Sequence, residues 1–75
     1  MSPSIDEICQ VVREIGGLSQ LAPDQDFYDA GFSSVRALDL LLELESRFGI
    51  SVPDDGFADA RTAQALHNLV GSLKS

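Results

Sequence analysis

Seventy-five residues, 44% of them apolar, are enough for a single small domain and argue against wholesale disorder. Twelve Asp and Glu against five Lys and Arg leave a net charge of −7, which excludes a nucleic-acid binder and favours basic partners. One cysteine excludes both a disulfide framework and a zinc ribbon.

The N-terminus, Met1 to Glu7, has no basic region before an apolar block, so it is not expected to be a signal peptide, and a cytoplasmic address is expected. Ser4 and Glu7 have the spacing of a capping box. Ile5, Ile8, Cys9 and Val12 then recur at helical spacing, with Ile15 beside the stripe, until Gly16-Gly17 stops it. The pattern predicts an amphipathic helix over residues 4–15, with Cys9 as a buried, inert small hydrophobe.

Residues 18–33 show no stripe, but Pro23, Asp24, Asp26, Asp29, Gly31 and Ser33 are turn and cap formers. A loop of this length in a small domain tends to be functional, and Leu18, Leu21, Phe27 and Phe32 are expected to pin it to the core. Asp24, Asp26 and Asp29 begin like a calcium loop, yet position six lacks Gly and position twelve is Val35, so a solvated acidic loop is expected instead.

A second helix is predicted from Ser34 to Phe48, ending at Gly49. Ala37, Leu40, Leu41, Leu44 and Phe48 share one stripe and should face the core. Val35 and Leu42 then point outward, with Asp39, Glu43 and Ser46 beside them. Ile50 to Pro53 reads as an extended connector, since Pro53 pushes Val52 out of helical geometry. Asp54 to Asp59 fits one short helical turn. Thr62 is a good N-cap for a last helix whose buried face is Leu66, Leu69, Val70 and Leu73, with His67 on its polar, surface side. The expected fold is an all-α bundle of three longer helices plus one short one.

The informative segment is Asp29-Ala-Gly-Phe-Ser33-Ser34-Val35, where the long loop enters the second helix. A serine there lies near unpaired backbone N–H groups, a suitable place for an anion such as a phosphodiester. Either Ser33 or Ser34 can equally serve as a simple cap, and one can cap while its neighbour is modified.

This turn, the run from Leu40 through Arg47-Phe48-Gly-Ile-Ser-Val-Pro53, and Thr62-Ala-Gln-Ala-Leu66 together resemble the acyl carrier proteins over nearly the whole chain. The resemblance implies a carrier domain over residues 1–75 that does no catalysis itself and whose Ser34 bears 4′-phosphopantetheine. It implies a phosphopantetheinyl transferase that attaches this arm from coenzyme A. It also implies an acyl- or amino acid-activating ligase and a downstream acyltransferase or synthase as partners, with no nucleic acid or membrane and a monomer when free. The family's recognition helix falls on residues 34–48, so Val35, Asp39, Leu42, Glu43 and Ser46 become the expected partner-binding residues. The chain departs from the family's usual pattern in having Ser33 before the modified serine, Val35 after it, and then Arg36. Fatty acyl, polyketide and amino acid cargoes stay open, with a lean towards an aminoacyl unit in a specialised pathway. Met1 and the polar tail Lys74-Ser75 favour a stand-alone carrier. The competing reading is an unmodified acidic adaptor that uses Val35 and Leu42 as helix-in-groove anchors.

Overall fold

The structure is a computed structural model that describes residues 3–74; Met1, Ser2 and Ser75, which bear on the expectations for the two ends, lie outside it. Its order is α1 (Ile5–Gly16), a 3₁₀ turn (Ser34–Arg36), α2 (Ala37–Phe48), α3 (Asp54–Asp59) and α4 (Ala63–Lys74). The described residues thus form the expected all-α bundle, three longer helices and one short one.

Helix α1 begins where the capping box places it. Ser4 is extended, and its Oγ accepts from the Glu7 backbone N–H at 3.2 Å. Gly17 ends the helix with a left-handed φ of 67°, and its N–H donates to the Arg13 carbonyl. The buried face is Ile8, Cys9, Val11 and Val12, broader by Val11 than the stripe read from spacing. Burial, seconded by the charge of Asp6, pushes the Cys9 thiol pKa up, as expected of an inert core cysteine.

The long loop is tied down at both of its phenylalanines. Phe27 and Phe32 are buried, with ring centroids 5.2 Å apart and nearly edge to face, and Tyr28 leans on both. Asp26 shapes the turn between them: its Oδ1 accepts from the N–H of Tyr28 at 2.9 Å and of Asp29 at 3.2 Å. Gly31, with φ 115°, takes a conformation that side-chain-bearing residues rarely adopt. The loop also pairs with the α3–α4 connector and the first turn of α4: the Phe27 N–H donates to the Arg61 carbonyl and the Gln64 N–H to the Pro23 carbonyl, both at 2.9 Å.

The predicted helix over 34–48 is corrected at its start. Ser34 to Arg36 form a 3₁₀ turn, and α-helical geometry begins at Ala37. The cause is local: Ser33 Oγ accepts from the Val35 N–H, and the Ser33 and Ser34 carbonyls take the N–H groups of Arg36 and Ala37, a tighter i to i+3 pattern. Beyond it Leu40 and Leu44 are fully buried, and Ala37, Leu41 and Phe48 pack partly against the core. Gly49, at φ 65°, closes α2. Two more groups tie this end down: Glu45 Oε2 accepts from the Val52 N–H at 2.8 Å, and Lys74 Nζ donates to the Phe48 carbonyl at 2.9 Å.

Thr62 caps α4 as expected, its Oγ1 accepting from the Ala65 N–H at 3.0 Å. The core face of α4 is Ala63, Leu66 and Val70, with Leu69 half-buried. Leu73 is exposed, a correction: it lies in the last turn, at the rim of the bundle. His67 is corrected too. It is half-buried, and its Nε2 lies 3.0 Å from the Pro3 carbonyl, which can only accept, so Nε2 carries the proton and ties the N-terminal segment to α4. Helix α1 packs against both α2 and α4, and α3 against α4.

Candidate functional site

The two serines at the head of α2 have different surroundings. Ser33 is extended (φ −75°, ψ 132°), and its hydroxyl is engaged by the Val35 N–H at 3.3 Å, so Ser33 is the cap of the pair. Ser34 is exposed and borders a groove of about 470 Å³, together with Tyr28, Ala37, Phe57, Ala58 and Arg61. That volume lies within the roughly 300–1,000 Å³ of small-molecule sites. The sequence marked the serine; the groove beside it joins the loop, α2, α3 and the connector, and no local pattern announces it.

Arg61 lines one wall of the groove and is held from two sides. Its Nε donates to Asp26 Oδ2 at 2.6 Å, and its guanidinium carbon lies 4.8 Å from the Tyr28 ring centroid. The hydrogen bond from Arg61 is the main reason the Asp26 carboxyl titrates below the ordinary aspartate range, and the same bond raises the pKa of Arg61. Asp26 is thus engaged by Arg61 and by its own turn. Among the described residues no three His, Cys, Asp or Glu are grouped to hold a metal ion.

Outward from the serines runs an apolar stripe with acids beside it. Val35 is 86% exposed and Leu42 52%, as their spacing predicts, but Val35 belongs to the 3₁₀ turn. Leu38, at 61%, is a third exposed member of the stripe, beyond the expected pair. It stands three residues after Val35 and four before Leu42, so the same spacing rule could have found it. Asp39 and Ser46 are exposed; Asp39 faces Arg36 at 3.9 Å. Glu43 is half-buried, and its carboxylate is paired with Arg47 at 2.9 Å.

A helical bundle that sets an exposed serine beside a groove, ahead of a helix with a bare apolar stripe, is the architecture of a prosthetic-group carrier. The comparisons with known proteins agree. Residues 6–70 match the family model described as phosphopantetheine attachment site. An acyl carrier protein of Rhodococcus erythropolis is 31% identical over 74 residues, covering 95% of this chain and 81% of its own. One from Thermobifida fusca is 25% identical over 69 residues, 88% and 87% of the two chains. The chloroplastic acyl carrier protein 1 of spinach is 30% identical over 73 residues, 93% of this chain but 53% of that protein, so the chain spans about half its length. In fold the chain is similar to the hexanoyl acyl carrier protein of the actinorhodin polyketide synthase of Streptomyces coelicolor, with a TM-score of 0.82, 25% identity and coverage of 97% and 92%. The acetyl form of the actinorhodin protein gives 0.74, with 26% identity and coverage of 95% and 90%.

The chain belongs to the acyl carrier protein family. Its prosthetic group is 4′-phosphopantetheine, and its role is to carry rather than to catalyse. No helix among the described residues is long and apolar enough to cross a membrane. The residues present fit such a group: an accessible hydroxyl, an apolar trough to receive an aliphatic arm, and a hydrogen-bond donor in its wall for the arm's carbonyl groups.

Proposed function

We propose that Ser34 is the attachment site of the arm. The observation that carries this is the division of labour at the turn: Ser33 spends its hydroxyl on the Val35 N–H, while Ser34 stands exposed at the groove. The Ser34 hydroxyl, losing its proton, forms the new O–P bond to the pantetheine phosphate as the pyrophosphate bond of coenzyme A breaks and the adenosine bisphosphate leaves. Once bound, the arm supplies a terminal thiol that holds an acyl group as a thioester.

The chain's own residues do the rest. Residues 1–75 act as one carrier domain, a monomer when free, working in the cytoplasm. The stripe of Val35, Leu38 and Leu42, with Asp39, Glu43 and Ser46 at its margin, is the surface read by a phosphopantetheinyl transferase, an acyl-activating ligase and a downstream acyltransferase or synthase. Leucines exposed among acids suit partners whose basic rims steer the encounter to a net charge of −7. The cargo we favour is an acyl group; the similarity to the acyl carrier protein of a polyketide synthase supports that over an aminoacyl unit.

Incubation with a broad-specificity transferase and coenzyme A tests the site. One arm per chain is expected by intact mass, lost in Ser34→Ala and retained in Ser33→Ala. An arm mapped to Ser33, or no arm, overturns the assignment.

A further inference from the structure

We infer that Arg61 is a cargo-specificity residue: in the groove beside Ser34 it favours acyl groups with an oxygen acceptor beyond the thioester, a β-keto or terminal carboxylate oxygen, over saturated chains and aminoacyl groups. The inference rests on Ser34 carrying the arm.

Most of the groove cannot discriminate. Ala37, Phe57, Ala58 and the ring of Tyr28 offer apolar contact, which rewards any hydrocarbon in proportion to area and is indifferent to functional groups. Arg61 is the charged residue in the lining, and a guanidinium only donates hydrogen bonds. Its Nε is committed to Asp26 at 2.6 Å, and its carbon sits 4.8 Å from the Tyr28 ring centroid, so the plane is anchored before any cargo arrives. One N–H of a five-donor fork is used in that bond; the terminal amino groups can serve an incoming oxygen. Pre-anchoring lowers the entropy lost in meeting it.

A saturated chain of the same length presents no acceptor beyond its thioester for these donors. An aminoacyl cargo brings an ammonium, which cannot accept from Arg61 and adds a second cation beside it. Asp26 is poorly placed to offset that cation. Its Oδ1 already takes the N–H groups of Tyr28 and Asp29, and its Oδ2 takes Arg61. Recognition of this kind favours the chemistry that makes or consumes oxygenated acyl thioesters, namely condensation and keto-group processing.

The test compares cargoes that differ by one group. The arm-bearing protein, with its arm first mapped by peptide mass, is loaded with acetoacetyl, butyryl, malonyl or β-alanyl groups. Thermal midpoints and the Arg61 side-chain Nε–H resonance are then recorded. The acetoacetyl form should melt about 4–8 °C above the butyryl form of equal carbon count, the shift expected in a domain of this size for one added interaction. Acetoacetyl and malonyl should move the Arg61 resonance, and butyryl and β-alanyl should not. In Arg61→Met the acetoacetyl–butyryl difference should vanish whatever happens to overall stability, and Arg61→Lys should keep part of it. Equal behaviour of acetoacetyl and butyryl in the native chain, persistence of their difference in Arg61→Met, or a β-alanyl effect as large as malonyl's overturns the inference and leaves the attachment site standing. An arm mapped to another serine overturns both.

Discussion

Gly16 and the ring of Phe32 occupy the space of one side chain between them. Gly16 is the last residue of α1, and a Cβ built there would collide with the edge of the buried Phe32 ring. Phe32 stands directly before Ser33 and Ser34, so the bare end of α1 lets the serine turn sit down on the bundle.

Two helical glycines should therefore respond oppositely to alanine. Gly→Ala inside a helix ordinarily gains about 0.5–1 kcal/mol. Gly71 in α4 has nothing within 4 Å of a new Cβ, so Gly71→Ala should gain that amount. At Gly16 overpacking against Phe32 costs about 1–3 kcal/mol and should reverse the sign. Chemical denaturation of both variants decides it, and equal signs would refute the steric account.

The two serines should also differ in what their loss does to stability. Removing an N-cap hydroxyl costs about 0.5–2 kcal/mol, and Ser33→Ala should fall in the lower half of that range because its bond to the Val35 N–H is long at 3.3 Å. Ser34→Ala should stay within about 0.5 kcal/mol of the parent chain. A larger loss for Ser34→Ala in urea melts would mean that Ser34 is the structural residue of the pair.

Leu38→Ala and Leu42→Ala should each slow arm transfer by a phosphopantetheinyl transferase while leaving stability within about 0.5 kcal/mol, since both side chains are largely exposed. Asp39→Lys should slow association chiefly at low salt, because exposed charge acts mainly on encounter and is screened. Unchanged transfer rates in all three variants would place the docking surface elsewhere.

Asp26 gives the fold an acid limb. Its folded-state pKa lies below that of the unfolded chain, chiefly through Arg61, so the ionised carboxylate stabilises the native state. That contribution is complete above the ordinary aspartate range and drains away as pH falls through the lowered folded value. Asp26→Asn should be less stable than the parent at neutral pH, and the gap should narrow as the pH is lowered through and below about 4. A gap that holds constant across this range in urea midpoints would show that the pairing with Arg61 contributes nothing.

Much of the fold was legible because it is written locally. Ser4 with Glu7, Gly17, Gly49 and Thr62 are caps whose partners lie within four residues, and the structure uses each as its sequence position suggests. The serine turn and the outward pair Val35 and Leu42 followed from spacing in the same way. What escaped is decided by partners far along the chain or by small energetic differences. Arg61 reaches Asp26 across 35 residues, and His67 reaches Pro3 across 64, so neither leaves a local signature. A 3₁₀ turn over Ser34–Arg36 differs from an α-turn by a one-residue shift in hydrogen bonding, which composition does not encode. Leu73 has the spacing of a core residue, but its position near the end of α4 leaves little for it to pack against.

Cys9, the chain's one cysteine, is shut inside the inner face of α1, and burial holds it in the thiol form. Acyl groups pass between sulfur atoms only when a thiolate attacks, so Cys9 is no competing acceptor for what the arm holds. A loaded carrier therefore does not pass its cargo to its own cysteine, nor lock its arm to that cysteine as an internal disulfide. Custody of the cargo stays with the arm until a partner takes it.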